Sequence, residues 1–80
     1  MKIVDATVHR IKDLCLIYDI SYNSLANLSG MPPSTLKNIL NGNSKNPGIK
    51  TIKILCDGLG ISIQEFYNSE VFSELEQEIG

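Results

Sequence analysis

Ser34, Lys37, Asn38 and Asn41 recur three or four positions apart, so a helix would carry a hydroxyl, an ammonium and two carboxamides on one face. This set suits hydrogen bonding to a partner surface. Lys37 is a point-charge donor, each asparagine offers a donor beside an acceptor, and Ser34 can act as either. It is poor equipment for catalysis. Ser34 or Cys56 as a nucleophile would need a base, and the pattern supplies none. His9 stands alone, and Cys15 and Cys56 are not at ligand spacing, so neither a metal nor another cofactor is expected. The glycine-containing stretch around Lys45 fails as a phosphate-binding loop. Five residues separate Gly42 from Gly48 where four are needed, and Ile49 interrupts its end.

The elements that must hold this face are short. Ser21 is a good N-cap for a first helix with Leu25, Ala26 and Leu28 as its apolar side, and Gly30 can take the left-handed conformation that ends it. Pro32 and Pro33 cannot continue that helix, but proline is well tolerated at the first position of the next. Leu36, Ile39 and Leu40 then follow helical spacing, and Asn41-Gly42 closes the helix. Two helices this short are unstable alone, so both must dock on a core, leaving the polar face of the second outward. That is the layout of a helix-turn-helix.

Around this pair the apolar positions predict four further helices, the last a C-terminal extension, and no strand. The first starts near Asp5 and runs to about Tyr18, with Val4, Val8, Ile11, Leu14, Cys15 and Tyr18 as its stripe. After a polar stretch, Pro47 leads into a helix that buries Ile49, Ile52, Leu55, Cys56 and Leu59, with Gly58 and Gly60 weakening and ending it. Ser62 and Glu65 form a capping box for a short helix through Tyr67, with Ile63 and Phe66 inward. Ser69 could cap a last helix, in which Val71, Phe72, Leu75 and Ile79 form a stripe and the glutamates face out. The expected fold is all-α: a single compact five-helix domain with core 5–67 and a helical C-terminal extension over 69–80.

Composition sets the bounds. At 80 residues the chain is one small domain, its 42% hydrophobic content suits a compact soluble protein, and 6% aromatic residues imply a modest core. No apolar run approaches the roughly 18 residues a membrane span needs. The first residues, MKIVDATVHRIKD, hold no uninterrupted apolar region, so a secretory signal is not expected, and buried free thiols at Cys15 and Cys56 suit the cytoplasm. The net charge of −2 is unpromising for a polyanionic partner, but its distribution is uneven. Between Ile20 and Cys56 there is no acid, whereas Lys37, Lys45, Lys50 and Lys53 all fall there, so one face can be locally positive.

Residues 5–67 resemble the Cro/repressor-type helix-turn-helix family, also described as lambda-repressor-like or XRE-type. The carriers are DISYNSLANLSGMPPSTLKNILNG, with Leu25-Ala26 and Gly30 at the family's second-helix positions and Thr35, Leu36, Ile39 and Gly42 in its third. The trailing NPGIKTIKILCDGLGISIQEFY follows the same pattern. The resemblance implies the lambda-repressor-like fold and a regulator that reads the major groove of double-stranded DNA with the helix at about 33–41. Repression would be its role, with no enzymatic activity and no small-molecule ligand.

By position, the resemblance makes Pro33, Ser34, Lys37 and Asn38 the base-facing residues. Lysine can donate to guanine, asparagine can pair with adenine, serine is promiscuous, and proline offers apolar contact to a thymine methyl. Phosphate contacts fall by resemblance to Ser21 and Tyr22, to Asn41 and Asn43, and to Lys45, with Lys50 adding a charge. One recognition helix reads few base pairs, so a homodimer on a palindromic operator is expected, with half-sites about 34 Å apart. Phe66, Tyr67, Val71, Phe72, Leu75 and Ile79 are available for pairing, and equally for folding back on their own core.

Two departures weaken the electrostatics. Relatives often pair an Arg late in helix one with a Glu near the end of the recognition helix; Cys15 and Leu40 stand there, implying apolar contact instead. Gly48 occupies a position where some relatives place an Arg for the minor groove. Modest DNA affinity is therefore expected, and a protein-interaction module that kept the fold without DNA recognition is the alternative.

Overall fold

Apolar residues three and four apart need one common surface to bury against, and five α-helices share it here. The structure is a computed structural model that describes residues 1–42 and 47–79. The helices are α1 (Ile3–Ile17), α2 (Tyr22–Leu28), α3 (Pro33–Leu40), α4 (Ile49–Leu59) and α5 (Ile63–Tyr67), followed by one 3-10 turn at Glu70–Phe72. Among the described residues there is no strand, and no helix is long and apolar enough to cross a membrane. α2 lies between α3 and α4, α1 touches α3 and the 3-10 turn, and α5 packs on α4. Ile11, Leu25, Leu36, Ile52, Leu55, Cys56 and Phe66 are the largest side chains wholly removed from water.

Local chemistry sets most helix ends. Ser21 Oγ accepts from the Ser24 amide at 3.1 Å, and Ser62 and Glu65 form the reciprocal capping box. Pro33 occupies the first position of α3, where its missing N–H would have no partner in any case. Gly30 has φ +67°, which lets the Met31 amide turn back to the Ala26 carbonyl at 3.0 Å and ends α2 abruptly. α5 has a cap that comes from elsewhere in the chain. Arg10 on α1 donates from Nε to the Phe66 carbonyl at 2.7 Å and from Nη2 to the Glu65 carbonyl at 2.8 Å.

Several expectations need correction. The C-terminal helix does not form: after the 3-10 turn, residues 74–79 follow no helical path. The stripe of Val71, Phe72, Leu75 and Ile79 has helical spacing, but so short a segment cannot repay nucleation. Its backbone is committed otherwise. The Glu76 amide donates to the Met1 carbonyl at 3.1 Å, Lys2 Nζ donates to the Gln77 carbonyl at 2.6 Å, and the terminal ammonium lies 3.3 Å from Glu76 Oε2. Phe72 instead folds onto the core with Tyr67, ring centres 4.9 Å apart. Leu28 and Ile49, expected inside, are 62% and 65% exposed, because α2 and α4 present them past their neighbours. α1 begins at Ile3 rather than Asp5, and Ala6 and Thr7 join its buried side while Tyr18 stays half-exposed. Cys15 and Cys56 are buried free thiols, and burial pushes both upward in pKa, which keeps the reactive thiolate scarce near neutrality.

Gly58 marks the closest approach of α4 to the end of α2. A Cβ there would lie 2.3 Å from Ser29 Oγ, 3.2 Å from the Ser29 amide nitrogen and 3.3 Å from the Leu28 carbonyl carbon. Ser29 Oγ is itself buried and has no hydrogen-bond partner among the described residues. Alanine at position 58 would gain about 1 kcal/mol of helix propensity but meet an overpacking penalty of about 1–3 kcal/mol against backbone. Gly58→Ala is expected to lower stability by up to about 2 kcal/mol in urea melts. Ser29→Ala, which removes an unsatisfied hydroxyl, is expected to raise it by about 1 kcal/mol. A stable Gly58→Ala protein would mean the two helices can separate freely.

Candidate nucleic-acid interface

The outward face of α3 is held in place by its inward one. Leu36, Ile39 and Leu40 are buried, and they leave Pro33, Ser34, Lys37 and Asn38 exposed on the opposite side. Pro32 and Pro33 fix the entry angle, and Gly42, at φ +75°, closes the helix. No side chain of this face is drawn into a hydrogen bond or ion pair among the described residues. Its donors and acceptors are therefore available to a partner.

Beside α3 runs an open cleft of about 500 Å³. Pro33, Ser34, Lys37 and Asn41 form its α3 side, with Leu40 at the base, and Tyr22 and Asn23 at the start of α2 face them. Lys12 of α1 completes it. A shallower hollow of about 320 Å³ adjoins the cleft, sharing Lys12 and Tyr22 and adding Cys15, Leu16, Asp19, Ile20 and Ser21. The structure thus brings five of the expected contact residues to one cleft: Tyr22, Pro33, Ser34, Lys37 and Asn41. Ser21 lines the neighbouring hollow, while Asn38 and Lys50 are exposed outside the cleft. Asn43 and Lys45 lie outside the described residues.

Sequence reasoning missed Lys12 and Asn23. Lys12 sits one position after buried Ile11 and three before buried Cys15, so helical geometry turns it toward the α3 side. Nothing in the sequence tells which exposed edge of α1 meets α3, so periodicity alone could not single it out. Cys15 and Leu40 are both buried in one apolar cluster, 4% and 7% exposed.

Charge is distributed by structural duty. Arg10 caps α5, Lys2 holds the C-terminal segment, and Lys53 pairs with Asp57 one turn along α4. His9 lies 3.2 Å from Asp13, one turn along α1. Lys12, Lys37 and Lys50 have no carboxylate partner among the described residues. The described residues also include no group of three or more His, Cys, Asp or Glu that could hold a metal ion.

The residues expected to pair two copies lie elsewhere. Phe66 is completely buried, with its ring 4.9 Å from that of Tyr67 and 6.1 Å from that of Phe72. Tyr67, Val71, Phe72 and Leu75 are half-buried, and Ile79 is 83% exposed. Any pairing surface would use the outer edges of this segment and not Phe66.

Asp19 borders the hollow beside Lys12 and is the one non-glycine residue with positive φ, at +53°, among those described. It ends α1 in a left-handed turn: the Ile20 amide reaches the Cys15 carbonyl at 3.0 Å and the Asp19 amide the Leu16 carbonyl at 3.2 Å. An L residue here is strained, and a carboxylate at a helix C-terminus opposes the dipole. Asp19→Gly is expected to raise stability by about 0.5–1 kcal/mol, read as an upward shift in thermal midpoint. An unchanged or lower midpoint would mean that the carboxylate compensates within the turn.

The profile of a family described as helix-turn-helix matches residues 11–66. Among solved structures, the chain is similar to the one titled as the crystal structure of the prophage Lp1 protein 11. The two are 30% identical, the match covers 94% of this chain and 100% of that one, and the TM-score is 0.79. No curated protein sequence matches the chain.

Proposed function

Because the chain belongs to the helix-turn-helix family of Cro/repressor type, we propose that it is a sequence-specific transcriptional regulator that reads the major groove of double-stranded DNA with α3 and acts as a repressor. The observation that carries this reading is the exposed, uncommitted polar face of α3 set on a buried apolar one. In the groove, Lys37 donates to guanine O6 and N7, Asn38 pairs with adenine N6 and N7, Ser34 serves either, and Pro33 meets a thymine methyl. Ser21, Tyr22, Asn41 and Lys50 face the flanking phosphates, with Asn43 and Lys45 beside them in sequence. A two-fold dimer on an inverted repeat supplies the length of site that one short helix lacks, and Ile79 with the outer edges of Val71 and Leu75 offers the pairing surface.

One observation favours a second reading. Leu16 is 78% exposed in the hollow beside the cleft, and such a residue suits a protein partner better than a phosphate backbone. Under that reading the fold is an interaction module.

Fluorescence-anisotropy titration against a randomised duplex pool, with sequencing of the bound fraction, separates the two. The DNA reader is expected to enrich an inverted repeat. Its affinity should fall with salt at a log–log slope of about −0.9 per phosphate neutralised. Lys37→Ala/Asn38→Ala should lose the enrichment and weaken the enriched site at least tenfold, at about 1–3 kcal/mol per base contact. Absence of binding even at low salt would overturn the reading and leave the interaction module.

A further inference from the structure

We propose that Asn41 and Gly42, at the end of α3, form a self-modification site. Asn41 converts its own carboxamide to a carboxylate, and the new charge lowers affinity for DNA. The loss of affinity rests on the DNA-binding reading above, whereas the modification itself does not. Asn41 is the one asparagine of the chain followed by glycine. The Gly42 nitrogen attacks Asn41 Cγ, the Cγ–Nδ2 bond breaks, and the amino group leaves as ammonia with the Gly42 amide proton. Water then opens the resulting cyclic imide, at Cγ to give aspartate or at the main-chain carbonyl to give isoaspartate. Glycine suits the attack because it has no side chain to obstruct it.

The structure leaves this pair open to water and lightly held. Both residues are exposed, and a Cβ at Gly42 would meet nothing within 4 Å among the described residues. Gly42 stands at φ +75°, and its amide donates to the Ile39 carbonyl at 3.2 Å, the last bond of α3. Asn41 has ψ 0°. Rotation about that torsion brings the Gly42 nitrogen to the carboxamide carbon and breaks this terminal bond, the kind of local opening that helix ends allow. Other described asparagines are held more firmly. Asn38 precedes Ile39, whose amide lies in the ladder of α3 and whose side chain is 4% exposed. Asn23 and Asn27 lie within α2, and Ser69 after Asn68 carries a side chain that Gly42 lacks.

A carboxylate at position 41 acts in three ways. Asn41 faces a phosphate under the DNA-binding reading, and an anion there is repelled. Lys37 stands one turn earlier and lines the same cleft, so the carboxylate draws toward itself the ammonium that would read guanine. An anion at a helix C-terminus also opposes the dipole and loosens the end of α3. The net charge is already −2, so one further negative charge on this face is poorly offset.

The test incubates folded wild type, Gly42→Ala and Asn41→Gln at neutral pH. Peptide mapping by mass spectrometry follows each asparagine, and anisotropy on the enriched duplex compares fresh with aged samples. Wild type is expected to accumulate aspartate and isoaspartate at position 41 before any other asparagine converts. Its affinity should fall by about fivefold per modified protomer, the factor for one like-charge pair in contact in water. Fresh Asn41→Asp is expected to show the same loss. Gly42→Ala hinders the attack, and the longer side chain of Asn41→Gln closes the ring poorly. Each variant should therefore bind alike when fresh and when aged.

An Asn41 that stays intact in the folded protein while a denatured sample converts would overturn the proposal. Faster conversion at another asparagine would do the same. Aged wild type that carries the modification yet binds as tightly as fresh protein would overturn it too, by separating the charge from affinity. If fresh wild type binds no duplex, the DNA reading fails and the loss of affinity with it, while the mass spectra still decide the modification.

Discussion

The outward face of α3 depends on how closely α4 can lie against the end of α2. Gly58 presents only a hydrogen where any other residue would set a Cβ within 2.3 Å of the Ser29 hydroxyl. That contact fixes the end of α2, and Gly30 turns the chain immediately after it. α3 then starts within three residues, so its direction follows from the placement of α2. Leu25 and Ala26, both fully buried, hold α2 from within. A small domain has few layers with which to compensate an error here, since one core supports every element. Displacement of α2 would rotate α3 and its outward side chains together.

A second constraint is the scarcity of positive charge. Nine acids outnumber seven basic residues, and the fold uses several of those cations for itself. Arg10 satisfies carbonyls at the end of α5, Lys2 ties down the C-terminal segment, and Lys53 pairs along α4. Glu76 meets Met1 and Lys2 reaches the Gln77 carbonyl at the start of α1, whereas Lys12 lies about 15 Å further along that helix at 1.5 Å per residue. Glu76 and the uncommitted Lys12 thus lie at different ends of the same helix. A net negative molecule can present a positive edge in this way, and over a Debye length of about 8 Å in physiological salt the two regions are largely screened from each other.

What was legible in the sequence was the chemistry that acts within a few residues. Ser21, Gly30, Pro33 and the Ser62–Glu65 box each act within one helical turn, and each helix end lies close to where they place it. The polar face of α3 was legible for the same reason, because one helix carries all of it. Long-range consequences were not. Leu28 and Ile49 have the right spacing to be buried, but spacing cannot show where a neighbouring helix stops. The stripe from Val71 to Ile79 has helical period, yet contacts with Met1 and Lys2, more than 70 residues away in sequence, decide its path. Lys12 and the α5 cap from Arg10 were hidden likewise, since each depends on which helices meet.

The burial of Cys15 and Leu40 joins the two constraints. The resemblance places an ion pair at these positions in many relatives, and here both side chains lie in one apolar cluster. Replacing a buried ion pair by apolar groups of similar volume is often neutral or stabilising, because two charges no longer need desolvation. The fold therefore loses nothing by the exchange. Any cation on this edge of α1 must then stand at an exposed position. Lys12 stands one turn before Cys15 and opens into the cleft beside α3. The core can thus become more apolar at Cys15 while the adjoining edge stays positive, since helical geometry sends positions three apart to neighbouring but distinct depths.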